Sequence, residues 1–129
     1  MAVITETTKR SGAYLGESAA HNIINEEIII ASGAGELAAG TVLGRITASG
    51  KYVPHDVALV NGAQAAAAIL FHGVDATAAD VTTVATVRGP ATIFEPYLTL
   101  KAGIADADKA AAYAALRAKG MAVLPQHAA

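Results

Sequence analysis

"VTTVATVRGPATIF" runs from Val81 to Phe94. Val and Thr branch at Cβ, which suits a pleated surface better than a helix turn. It is the clearest β run in the chain. Gly89-Pro90 interrupts it: Pro has no N–H for a ladder and Gly has no side chain to pack, so a bulge or bend is expected there. Read this way, the stretch sets the chain on a mostly β course.

Upstream, "LAAGTVLGRITASGKYVPHD", Leu37 to Asp56, reads as a strand, a turn and a second strand. Val42, Gly44 and Ile46 fall on one face of the first strand, and Leu43, Arg45 and Thr47 on the other. Ser49-Gly50 makes the turn, because Gly takes a positive φ without steric cost. Pro54 ends the returning strand or holds it at an edge. Further back, "INEEIII", Ile24 to Ile30, is a β-branched strand that stops at the turn cluster "ASGAGE". "AAAAILFHGV", Ala65 to Val74, carries both signals. Its alanines favour helix; Ile69, Leu70 and Phe71, then Gly73 and Val74, favour a buried strand, which is the reading adopted. "DATAAD", Asp75 to Asp80, reads as a polar connection.

Downstream lies the one convincing helix, "DADKAAAYAALRAKG". Asp106 is placed as its N-cap and Asp108 in its first turn. Arg117 and Lys119 sit in its last turn, with Gly120 at C′, so the charges complement the helix dipole at both ends. Tyr113 and Leu116 share a face at i, i+3 spacing. "MAVL" makes a last short strand, and "PQHAA" is expected to fray. No internal repeat is visible.

The first 22 residues differ from the rest. "MAVITETTKRSGAYLGESAAHN" mixes Thr, Ser, Gly and charges with no sustained period. Such a segment buries too little apolar area to offset an ordering entropy of roughly 1–2 kcal/mol per residue. The expected organisation is a flexible arm over residues 1–22 and a single β-rich domain over 23–129. At the centre of the arm, Tyr14 and Leu15 lie between glycines and would anchor it on a partner.

Composition narrows the function. Of 129 residues, 16% are charged and the net charge is −2. Nucleic-acid binding needs Lys and Arg to displace condensed counterions, and here they are few and scattered. There is no Cys, so disulfides and thiolate metal sites are excluded. No window approaches the ~20 apolar residues of a membrane span, and the N-terminus has no apolar stretch long enough for a signal peptide. The expectation is a soluble protein made in a cytoplasm, with neither nucleic acid nor membrane as partner. Hydrophobic residues reach 53% but aromatics only 5%, so the core is built from small aliphatic side chains.

The search for chemistry returns little. His21, His55, His72 and His127 have no second His or Cys at ligand spacing, and no nucleophile is placed beside His55-Asp56. A lone His in a β protein reads as a surface or satisfied core residue. No G-x-S-x-G elbow occurs. "SGAGELAAG", Ser32 to Gly40, looks like a phosphate loop but is followed by a strand rather than a helix N-terminus, so it reads as a β connection. Glu26 and Glu27 are adjacent in a strand and point to opposite faces. Asp75 and Asp80 read as turn residues bonding their own backbone rather than as a calcium site. Catalytic, cofactor and metal sites are therefore all expected to be absent, and the chain reads as a non-enzyme.

At "LAAGTVLGRITASGKYVP" and "AAAAILFHGVDATAADVTTVATVRGPA" the chain resembles the head decoration proteins of tailed bacteriophages, the lambda protein D family. The likeness is carried by the Leu-Ala-Ala-Gly-Thr-Val-Leu-Gly strand, the Ala-Ser-Gly-Lys-Tyr turn and the Val/Thr strand ending at Arg88-Gly89. It covers Leu37 to Ala91, and the helix and short strand to Leu124 are similar in kind. The chain departs from the lambda member at "NIINEEIIIASG" and in its tail. The resemblance implies a compact β-clip-like domain, mostly β with one C-terminal helix (α+β) and an extended N-terminal arm. It also implies a homotrimer on the outer surface of the capsid, at three-fold and quasi-three-fold positions. There it binds the major capsid protein of its own phage and cements the expanded head against internal DNA pressure. Tyr14, Leu15, Ile23, Ile24 and Ile28 are the expected capsid-binding anchors. The alternatives are a tail or baseplate β module and a small-ligand-binding β-clip domain.

Overall fold

The computed structural model describes residues 24–124. Nine strands and one helix follow in the order β1 (Asn25–Ile30), β2 (Gly35–Leu37), β3 (Val42–Arg45), β4 (Tyr52–Pro54), β5 (Ala68–Leu70), β6 (Val74–Ala76), β7 (Val81–Thr86), β8 (Ala91–Phe94), α1 (Asp106–Ala118) and β9 (Met121–Leu124). A 3-10 turn, Glu95–Tyr97, follows β8. This compact domain is mostly β with a single helix near its C-terminal end, as the sequence predicts. The arm over residues 1–22 and the fraying tail lie outside the described residues.

Five strands close a barrel in the order β1-β4-β3-β5-β7. β1 runs antiparallel to β7 over six register pairs, from Asn25↔Thr86 to Ile30↔Val81. Its other edge meets β4 in parallel at a single pair, Ile30↔Tyr52. Outside the barrel, β2 pairs with β6 and β8 pairs with β9. β8 and β9 are parallel. Parallel neighbours need a crossover, and α1 supplies it.

A five-stranded barrel is narrow, since diameter grows with strand number. Its strands accordingly contribute Ile28, Ile30, Leu43 and Leu70 with the small side chains Ala68 and Ala85 to one cluster, which Ala76 of β6 joins. A second cluster fills the space between the barrel wall, α1 and the β8–β9 pair. It contains Ile24, Val42, Ile69, Ile93, Leu98, Leu116 and Met121. β3 and β5 lie between the two clusters: Leu43 and Leu70 face one, Val42 and Ile69 the other. A strand covered on both faces reads as an unbroken apolar run, which is why "AAAAIL" looked like helix and strand at once.

Four readings need correction. The strand expected over Ala65–Val74 is confined to Ala68–Leu70. The polar connection after it is partly strand: Asp75 and Ala76 belong to β6, and Ala76 is fully buried. Asp106 is not the N-cap; that position is Ala105, which makes no side-chain cap, and Asp106 lies in the first turn instead. Acidic charge in the first turn still complements the dipole. Finally, "SGAGELAAG" is not connection throughout: its centre, Gly35–Leu37, is β2, paired with β6.

The bend at Gly89-Pro90 is present, with a cis peptide bond between them. Gly120 has φ +92 at the C′ position after α1, the left-handed conformation that Gly adopts without penalty. The two glycines touch: a Cβ on Gly89 would collide with the Gly120 carbonyl oxygen. The Gly89 N–H donates to the Lys119 carbonyl at 2.9 Å. This close approach brings the end of α1 against the end of β7.

Candidate interaction surface

The groups that sequence reading held up for chemistry are used structurally. His55 is buried, and its Nε2 lies 3.1 Å from the Gln64 carbonyl oxygen, while Nδ1 has no hydrogen-bond partner among the described residues. It is thus a core histidine satisfied on one side only. Asp56 does not orient it. One Asp56 oxygen accepts the Ala58 N–H at 3.0 Å and the other the Lys101 ammonium at 2.9 Å. These contacts, the Ala58 N–H first, hold the Asp56 carboxyl below its ordinary value.

Asp75 behaves as expected, accepting from the Thr77 N–H at 3.1 Å and the Thr77 hydroxyl at 2.6 Å. Asp80 does not bond its own turn: it reaches Ser32 and Lys51, both distant in sequence. Among the described residues no group of three or more His, Asp or Glu side chains could hold a metal ion. No described helix is long and apolar enough to cross a membrane.

Of the five expected anchors, Tyr14, Leu15 and Ile23 lie outside the described residues. Ile24 is fully buried between barrel and helix, and Ile28 is 6% exposed inside the barrel. Alternation along β1 decides this: Ile28 and Ile30 point inward, leaving Ile29 exposed. Both Ile24 and Ile28 therefore pack within the domain.

What remains are the two ends of the barrel. At one end, the turn after β1 and the loop after β4 border a groove lined by Ser32 to Ala34, Val53 to Asp56, Leu59, Asn61 and Lys101. The rim of that loop is apolar and projecting, with Val57 43% and Val60 94% exposed.

The opposite end is polar. It gathers Glu26 from the start of β1, Arg45 from the end of β3, Tyr52 from the start of β4, Ala67 from before β5, Arg88 from after β7 and Lys119 from after α1. Arg88 and Glu26 form an ion pair. The chain enters β1 at this mouth, where the Ile24 carbonyl accepts the Val87 N–H at 2.9 Å. Sequence reading missed the mouth because its three cations are spread from position 45 to position 119. Only barrel closure and the Gly89–Gly120 contact bring them together.

Comparison with known proteins gives one family. A model described as bacteriophage lambda head decoration protein D matches residues 3–121. No curated protein matches the chain.

Proposed function

The chain belongs to the bacteriophage lambda head decoration protein D family, and from that membership we propose how it decorates a head. The family is one of structural virion proteins, which places the chain's role in phage capsid decoration at the capsid surface. The observation that carries the reading is the extent of the match. It runs from residue 3 to residue 121, so it takes in the segment ahead of β1 as well as the β domain.

In the proposed arrangement the protein binds as a homotrimer on the outside of the expanded head, at three-fold and quasi-three-fold positions. It bridges neighbouring copies of the major capsid protein and holds them against the pressure of the packaged DNA. Residues 1–22 act as a flexible arm with Tyr14 and Leu15 as its apolar contacts, and residues 23–129 act as one domain, with Ile23 a further contact at its start. An extended arm can add a strand to an exposed sheet edge of the shell, which takes its affinity from main-chain hydrogen bonds. Three arms on one trimer raise each other's effective concentration, so weak single contacts sum to a lasting attachment. Cyclic symmetry lets each protomer make the same contacts at a three-fold site.

The test is co-sedimentation of the purified protein with heads of its own phage that lack it, in compact and in expanded form. Pelleting with expanded heads alone, saturating at one trimer per three-fold site, is the expected result. Pelleting with neither form refutes the head reading. A protein lacking residues 1–22 is expected to stay folded and to remain in the supernatant; normal binding by that truncation refutes the role of the arm.

A further inference from the structure

The polar mouth of the barrel carries an imbalance that the domain itself does not resolve. Three cations, Arg45, Arg88 and Lys119, face one carboxylate, Glu26, around a hollow of about 440 Å³. Glu26 is engaged by Arg88. The side chains of Arg45 and Lys119 have no ion pair or hydrogen bond among the described residues, and both are exposed. The adjoining hollow, which shares Glu26, Arg45 and Tyr52, adds Glu27 and Lys51, and the Lys51 ammonium is itself paired with Asp80. The local surplus is positive in a chain whose net charge is −2.

Position adds a second observation. The chain enters β1 at this same mouth, with Ile24 bonded to Val87 one residue before Arg88. The described chain therefore begins beside these cations. We infer that the mouth formed by Arg45, Arg88 and Lys119 is a docking site for a carboxylate-bearing segment of the shell subunit, so that the domain contributes a charged contact beside the arm. The inference rests on the head-decoration reading above. An acidic protein segment suits the site better than nucleic acid. The cations form one confined cluster with a carboxylate among them, whereas a polyphosphate chain needs a track of cations to displace its counterions. Guanidinium groups take carboxylates in a two-pronged geometry, and Arg45 is free to do so.

The full-length protein and an Arg45→Glu, Lys119→Glu double variant are titrated onto heads lacking the protein, at low and at physiological salt, with circular dichroism and melting as folding checks. The double variant is expected to bind about tenfold more weakly or worse at low salt, and to lose most of the salt dependence. The Arg45→Lys, Lys119→Arg pair keeps both charges, so it should keep the salt dependence and bind more tightly than the double Glu variant. A folded double variant that binds within twofold of the wild type, with the same salt dependence, overturns the inference. Wild-type protein that binds no heads overturns the decoration reading itself, and this inference with it.

A second measurement needs no variant: acylation of Lys119 on the unaltered protein, free and head-bound. Protection of Lys119 on binding supports the site, and an unchanged rate overturns it. Wild-type protein that holds duplex DNA through these residues, while the double variant keeps its grip on heads, overturns it as well.

Discussion

Asp80 and Ser32 stand 48 positions apart, yet the Asp80 carboxylate accepts the Ser32 N–H at 2.8 Å. Its second oxygen takes the Lys51 ammonium at 2.6 Å. One side chain thus ties the start of β7 to the turn after β1 and to the residue before β4. The Lys51 contact first, and the Ser32 N–H second, hold the Asp80 carboxyl below its ordinary value of 3.8. A lowered carboxyl stabilises the fold above its unfolded value, and that contribution is lost as pH falls through the folded value. Asp80→Asn should therefore melt below the wild type at neutral pH, and the gap should close in acid, below the ordinary carboxylate range. Thermal unfolding followed against pH measures both.

Gly44 and Gly73 make a matched pair of tests. A Cβ on Gly44 would sit 2.6 Å from the Ala63 Cα, so backbone would have to shift. A Cβ on Gly73 would meet nothing closer than the Leu37 carbonyl oxygen at 3.4 Å. Gly44→Ala is expected to cost about 1–3 kcal/mol, the range for overpacking. Gly73→Ala should stay within about 0.5 kcal/mol. Urea unfolding of the two variants checks the contrast.

Ile24 and Ile29 separate packing from surface. Ile24 is fully buried and Ile29 is 41% exposed. Ile24→Ala is expected to cost about 2–5 kcal/mol, because a cavity remains beside the helix. Ile29→Ala should change stability by about 0.5 kcal/mol at most. A larger loss from Ile29→Ala than from Ile24→Ala in urea unfolding would mean that this segment is turned the other way.

Tyr113 predicts behaviour in base. Burial first, and the Glu95 carboxylate second, push its phenol above the ordinary value of 10.0. A raised value means that the stabilisation is complete below the unfolded value and is lost as pH rises through the folded one. Between about pH 9 and about pH 11, the wild type should lose more stability than Tyr113→Phe, which has no proton to release. Denaturant melts at both pH values report the difference.

The β class was legible because Val, Thr and Ile runs carry local signals: β1, β7, β9 and the bend at Gly89-Pro90 all follow from neighbours in sequence. The helix was legible for the same reason, down to Gly120 at its end. Barrel closure was not, because pairings such as Ile30↔Tyr52 and Val42↔Ile69 join residues tens of positions apart. That Ile24 and Ile28 pack inside the domain was not legible either, because apolar residues beside a polar segment carry no sign of which way they face. The face follows from the register with β7, which sequence spacing does not give. The basic mouth was hidden for the reason that hid the barrel: Arg45, Arg88 and Lys119 are neighbours only once the chain has folded.

The six-pair ladder between β1 and β7, against the single pair joining β1 to β4, has a mechanical consequence. Consider tension applied to Ile24 along the axis of β1. It slides that strand past β7 and strains all the ladder hydrogen bonds together, in shear, rather than peeling them off one at a time. The strand that takes the load is thus held in its strongest direction, and the thin seam with β4 carries little of the force.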